Sequence, residues 1–207
     1  MLPKRIVAIG ASDFFGIGDP EEGGFIGRFK TWHETQNKDH VVYNLGIRGE
    51  TTTQMLKRLT SESVPRKPDL LILTAGSNDI RRIGSKNAPV KTPINKFREN
   101  IREMIHQGTK MADVIFISTH PFDESKTAPF LYWNPKNYYL RADIIHYERE
   151  VKSICKEEQI PYLDIFNQWI DRDYSLFLHE DGQHANAMGH IMIAEELKKF
   201  LKNLYSK

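Results

Sequence analysis

An α/β architecture, with a parallel sheet covered by helices on both faces, is predicted by three observations. Five short apolar runs punctuate the chain, longer amphipathic segments separate them, and polar loops rich in glycine follow the first three runs directly. The first run is Ile6-Val7-Ala8-Ile9, and a helix is expected over about residues 23–37. Val41-Val42-Tyr43 is the second run, followed by a helix over about 51–61. Leu70-Leu71-Ile72-Leu73 is the third, with a helix over about 92–109, and Val114-Ile115-Phe116-Ile117 the fourth. A helix over about 140–158 leads to the fifth run, Tyr162-Leu163-Asp164-Ile165. The last helix is marked by Ile193, Leu197, Phe200, Leu201 and Leu204 at helical spacing after Asn186, a good capping residue.

At 207 residues, of which 40% are hydrophobic, the chain is long enough to bury one core, and no composition shift divides it, so a single domain over 1–207 is expected. The 29 basic and 27 acidic residues are interspersed and leave a formal charge of +2, which favours neither nucleic acid nor anionic lipid as a partner. A single cysteine, Cys155, excludes an internal disulfide and reads as a buried structural thiol. The N-terminus runs straight into a strand without the apolar region of a signal peptide, and no apolar run is long enough for an integral membrane segment. A cytoplasmic location is the resulting expectation.

The residues with chemistry to offer lie at the two ends of the chain. A serine hydroxyl is a weak nucleophile at neutral pH, so it needs an imidazole to take its proton and a carboxylate to hold that imidazole in the right tautomer. Ser12 follows the first strand, and Asp181-Gly182-Gln183-His184 places a carboxylate and an imidazole in one short loop. In an open parallel sheet, ligands bind outside the carboxyl ends of the strands. Three loops converge there: Gly10-Ala11-Ser12-Asp13, Asn44-Leu45-Gly46-Ile47-Arg48-Gly49 and Thr74-Ala75-Gly76-Ser77-Asn78-Asp79. Backbone amides beside glycine and an asparagine side chain are suitable donors for an oxyanion.

With these blocks in this order the chain resembles the SGNH, or GDSL-like, hydrolase superfamily over nearly its whole length. The resemblance implies a flavodoxin-like three-layer α/β/α sandwich with a five-stranded parallel sheet. It also implies an esterase or lipase that hydrolyses a carboxylic ester or thioester of a small molecule through an acyl-enzyme, with no metal and no cofactor. Position by position, it makes Ser12 the nucleophile, His184 the general base and Asp181 its orienting partner. The oxyanion hole is then assigned to the amides of Ser12 and Gly46 and to the side chain of Asn78. One position departs from the pattern: Ala11 stands where the family carries an aspartate, generally a loop-supporting residue, and Asp13 lies on the other side of the serine.

Competing readings exist for several of these residues. Ser77 is the rival nucleophile, Gly49 the rival of Gly46, and Asn78 is also a helix-cap type. Asp79 is expected to cap a helix or to pair with Arg81 or Arg82, and His120, His179 and His190 to be structural or substrate-facing. Two other functions fit the same scaffold: an acyltransferase using the same triad with a sugar hydroxyl as acceptor, and a non-catalytic protein holding a phosphate-bearing ligand at Gly16-Ile17-Gly18. Against the latter, the loop matches neither common phosphate-binding pattern, and Asp13, Asp19, Glu21 and Glu22 place negative charge there. The irregular stretch 120–140 carries six aromatics, Phe122, Phe130, Tyr132, Trp133, Tyr138 and Tyr139, among three prolines. Its rings either fold over Ser12 as a lid or pocket wall or pack on the flanking helices. The lid reading predicts a preference for acetyl to butyryl esters.

Overall fold

The computed structural model describes residues 1–206. Five strands, β1 (Arg5–Gly10), β2 (Val41–Gly46), β3 (Leu70–Leu73), β5 (Asp113–Ile117) and β7 (Tyr162–Leu163), form one sheet in the order β2-β1-β3-β5-β7. All neighbours are parallel. Counting only these five, the order is 2-1-3-4-5, the flavodoxin-like doubly wound arrangement, which reverses direction beside the first strand and opens a crevice at the carboxyl ends there.

Successive strand side chains point to opposite faces, and the sequence sorts itself accordingly. Val7, Ile9, Leu71, Leu73, Val114 and Phe116 face one helical layer, made by α3 (Thr52–Ser63), α4 (Ile94–Thr109) and α6 (Arg141–Glu157). Ile6, Ala8, Leu70, Ile72, Ile115 and Ile117 face the other, made by α2 (Gly24–Gln36), α7 (Ile165–Ile170) and α8 (Ala187–Leu204). Every residue of β3 is fully buried, because a central parallel strand is covered on both sides. Each such side chain contributes about 1.5–3 kcal/mol of burial.

The helix ends follow their sequence signals. Thr51 and Gln54 form a reciprocal capping box at α3, and the Asn186 side chain accepts the Gly189 N–H at the start of α8. The fifth strand is shorter than its apolar run: Asp164 leaves the sheet and accepts the Asn167 N–H with its carboxylate, so Ile165 begins α7 instead of continuing β7. A second, two-stranded ladder lies outside the expected pattern. β4 (Arg82–Ile83) pairs antiparallel with β6 (Asn137–Tyr138), joining the segment after β3 to the aromatic stretch. Two shorter helices, α1 (Ser12–Phe15) and α5 (Glu124–Thr127), complete the set. No described helix is long and apolar enough to cross a membrane.

Candidate active site

Ser12 is the first residue of α1, one residue beyond the end of β1, and its N–H has no partner among the described residues. The loop before α8 reaches it from the other end of the chain. Gly182 adopts φ +76°, a conformation that turns the loop so that both the Gln183 and His184 N–H groups donate to Asp181 Oδ1, at 2.8 and 3.0 Å. With the carboxylate fixed, His184 Nδ1 donates to Asp181 Oδ2 at 2.6 Å. A carboxylate only accepts, so the proton sits on Nδ1 and leaves a lone pair on Nε2. That nitrogen accepts from Ser12 Oγ at 2.9 Å. All three residues are buried.

Burial alone would raise the Asp181 pKa, but the hydrogen bonds and charge of His184, with a further bond from Trp133, hold it well below the usual carboxylate range. The Trp133 indole N–H donates to Asp181 Oδ2 at 2.8 Å, a contact that spacing along the chain does not reveal. His179 Nδ1 lies 3.2 Å from the same oxygen, on its outer side.

A cavity of about 180 Å³ opens over Ser12 and His184, with Asn78, Gly49, Arg48, Arg81 and Trp133 on its wall. The Asn78 side-chain amide nitrogen is buried without an acceptor, an unmade donor inside the cavity that holds the serine. Gly46 is placed differently from expectation. Its N–H already donates to Asn44 Oδ1 at 3.0 Å, and a Cβ there would stand 2.3 Å from the Phe15 nitrogen, so its lack of a side chain serves close packing of β2 on α1. The glycine on the cavity wall is Gly49, whose N–H has no partner among the described residues. Gly46 ends β2 and Gly49 lies three residues beyond it, and only Gly49 borders the cavity.

The remaining candidates are structural. Asp79 pairs with neither Arg81 nor Arg82: buried, with burial raising its pKa, it accepts the Thr52 N–H and hydroxyl at the start of α3. Ser77 faces a separate small cavity with Ala11, Asp13 and His120 and has no imidazole partner among the described residues. His190 ties α8 to the α1–α2 turn, accepting the Phe25 N–H at 3.0 Å and donating to the Ile17 carbonyl at 2.8 Å. His120 donates to the Pro121 carbonyl and faces Asp13 at 3.4 Å. Asp19 is neutralised by a two-pronged contact with Arg28, at 2.6 and 2.9 Å. Cys155 is fully buried, and burial pushes its thiol up to about 12, leaving it inert as a nucleophile.

The aromatic stretch divides. Phe122, Phe130 and Tyr139 are core residues, whereas Tyr132 and Trp133 are 50% and 46% exposed and border a groove with Phe15 and His179 beside the cavity.

Comparisons with known proteins agree with this fold. The model of the GDSL-like lipase/acylhydrolase family matches residues 8–191. The chain is 27% identical over 213 residues to YpmR of Bacillus subtilis, an uncharacterized protein, covering 95% of this chain and 81% of that one. It is 23% identical over 170 residues to an acetylxylan esterase of Geobacillus stearothermophilus, covering 79% and 71% of the two chains. A lipase/acylhydrolase structure from Enterococcus faecalis superimposes with a TM-score of 0.77 at 24% identity, over 97% of this chain and 96% of the other. With the family model spanning most of the chain, including both loops that meet at Ser12, the protein belongs to the GDSL-like lipase/acylhydrolase family and is an ester-hydrolysing enzyme.

Proposed function

We propose that the protein is a serine esterase for small acyl groups, with Ser12 as nucleophile, His184 as general base and acid, and Asp181 as the group that orients His184. The observation that carries this reading is the unbroken chain of hydrogen bonds from Asp181 through His184 to Ser12 Oγ, at 2.6 and 2.9 Å. His184 Nε2 takes the Ser12 proton as Oγ attacks the ester carbonyl, and the collapsing intermediate expels the alcohol, which receives that proton. A water deprotonated by the same nitrogen then attacks the acyl-enzyme, releasing the acid and restoring Ser12. The negative charge that develops on the carbonyl oxygen is met by the Ser12 amide and the Asn78 side-chain amide. Gly49 replaces Gly46 as the backbone donor, because its N–H is free and it lines the cavity.

A cavity of about 180 Å³ is small beside typical ligand pockets of roughly 300–1,000 Å³, which supports an acyl group of acetyl to butyryl size. The exposed rings of Tyr132 and Trp133, tilted 60° to one another, offer aromatic faces to a leaving group such as a sugar or an aryl alcohol. The similarity to an acetylxylan esterase supports the carbohydrate option. Transfer to a hydroxyl acceptor would use the same acyl-enzyme, and product analysis with a sugar alcohol present separates the two outcomes.

Labelling with a fluorophosphonate, followed by peptide mass mapping, tests the assignment. Ser12 should be the labelled residue, and Ser12→Ala should lose both labelling and turnover while keeping the fold. Labelling of Ser77 in that variant would overturn it. An ester series from two to sixteen carbons tests acyl size, and an optimum at eight or more carbons would refute the small-acyl reading.

A further inference from the structure

The cavity over Ser12 carries two guanidinium groups, Arg48 and Arg81, and no carboxylate on its wall. Asp181 lies behind the imidazole, almost fully buried. Three other partly buried arginines hold carboxylates: Arg28 holds Asp19, Arg58 holds Glu50, and Arg82 holds Asp143. Arg81 and Arg82 are neighbours in sequence with opposite fates. Arg82 makes a two-pronged contact with Asp143 at 2.7 and 2.8 Å, whereas Arg81 has no carboxylate partner among the described residues.

Arg81 is also held in place. Its N–H donates to the Asn78 carbonyl at 3.4 Å and its own carbonyl accepts from Lys91 at 2.8 Å, so it stands one turn from the oxyanion donor. Its Nε is buried with no acceptor, an unmade donor of a cationic group beside a cavity. A buried charged donor without a partner is costly, and an arriving anion relieves that cost. Arg48 is prepared in another way. Its guanidinium lies 4.6 Å over the Trp133 ring and 6.0 Å from that of Phe15. Stacking engages the faces of the guanidinium plane and leaves the N–H edge available for a planar acceptor.

We propose that the preferred ester carries an anionic group, a carboxylate or a phosphate, which Arg81 binds inside the cavity and Arg48 binds at its mouth. The proposal rests on the reading of Ser12 as the reactive centre of the same cavity. Guanidinium forks suit carboxylate and phosphate oxygens in a way that a neutral sugar hydroxyl does not match.

Three charged esters, each compared with a neutral partner, test it: mono-4-nitrophenyl succinate against 4-nitrophenyl butyrate, and 4-acetoxybenzoate and 4-acetoxyphenyl phosphate each against phenyl acetate. The first places a carboxylate on the acyl side, the second a carboxylate on the alcohol side, and the third a phosphate there. The expected result is a charged-to-neutral ratio of kcat/KM that falls roughly tenfold in Arg81→Gln for at least one pair, less in Arg81→Lys and Arg48→Gln, and that falls with added salt. Taking the change in the ratio cancels the differing reactivity of the esters. A ratio unaltered by all three variants overturns the proposal, as does an equal loss on charged and neutral esters. Calorimetry on the Ser12→Ala protein gives a readout that needs no turnover: within at least one of the three pairs the charged ester should bind more tightly than its neutral partner, and the added Arg81→Gln change should remove the difference. Failure of the serine assignment shows separately, as absent labelling of Ser12 and absent turnover of the neutral esters. Equal binding within all three pairs in calorimetry overturns the anion site whether or not Ser12 reacts.

Discussion

Two aspartate–histidine pairs flank Ser12, and they differ in what the far nitrogen of each imidazole touches. In Asp181–His184 the carboxylate takes Nδ1 at 2.6 Å and Nε2 is left to accept from Ser12 Oγ. In Asp13–His120 the carboxylate faces Nε2 at 3.4 Å, and Nδ1 lies 3.0 Å from the Pro121 carbonyl. Both partners of His120 accept only, so the ring satisfies them best with a proton on each nitrogen, as a cation. Burial pushes the His120 pKa down, but the Asp13 charge and hydrogen bond outweigh it, and the net direction is up. His184 has one acceptor and one donor around it, so a single proton, on Nδ1, satisfies both contacts. Identical residue types therefore give a closed ion pair on one side of the serine and, on the other, the hydrogen-bonded chain on which the proposed mechanism rests.

The largest test of that difference is to remove each imidazole. His184→Ala should lower kcat roughly 10⁵-fold to 10⁶-fold, as for bases in comparable serine sites, while His120→Ala should leave kcat within an order of magnitude and act on stability. Equal losses in kcat from the two would erase the distinction. Asp181→Asn should fall between them, at roughly 10⁴-fold, because an amide in place of the carboxylate favours the wrong tautomer.

The same contrast predicts the pH dependence of activity. Asp181 is held well below the usual carboxylate range and stays ionised wherever activity is measured, so the acid limb of kcat/KM should reflect a single proton. A limb of slope two would mean that a carboxylate titrates with it.

Much of the site was legible in the sequence because its crucial spacing is local. Asp181 and His184 are three residues apart, and a glycine turn between them suffices to aim both at a serine that any first strand of this architecture delivers to the same crevice. What escaped depends on tertiary contacts. Gly46 ends β2 and Gly49 lies three residues beyond it, and local composition does not say which borders the cavity. Trp133 reaches Asp181 across 48 residues of chain, through a β4–β6 ladder of two residues per strand that is too short to leave a periodic signal. The fifth strand is shorter than its run: Tyr162-Leu163-Asp164-Ile165 alternates as a strand would, while the capping bond of Asp164 that ends it is visible only in three dimensions.

A smaller effect is expected at Asp13, and it concerns stability. Burial raises its pKa, but the charge and hydrogen bond of His120 bring it down to about 2. A folded pKa below the unfolded value of about 3.9 means that this stabilisation is present above that value and is lost as pH falls through about 2. The raised His120 value acts in the other sense: its contribution is complete below about 6.5 and is lost as pH rises through the folded value. The stability difference between wild type and Asp13→Asn should therefore be greatest between about pH 4 and 6.5 and shrink on both sides. Urea unfolding across this range checks it, and a flat difference would show that the pair contributes no charge interaction.

The smallest change separates the two pairs by their third partner. Asp181 Oδ2 accepts from the Trp133 indole at 2.8 Å, and Asp13 has no comparable donor beyond His120 among the described residues. The indole N–H does not touch the reacting atoms, so Trp133 is a positioning residue for the carboxylate that positions His184. Trp133→Phe keeps an aromatic face for Arg48 and removes only this donor. A hydrogen bond to a charged group contributes about 1.5 kcal/mol or somewhat more, which corresponds to roughly tenfold in rate if it is fully expressed in the transition state. The loss should appear in kcat with KM for a small neutral ester nearly unchanged, because the wall of the cavity remains. Trp133→Ala should add a change in KM, since it also removes the ring that holds the Arg48 plane. If Trp133→Phe leaves kcat at the wild-type value, the two backbone amides on Oδ1 and the imidazole on Oδ2 hold Asp181 by themselves, and the tryptophan serves only as a surface for the substrate.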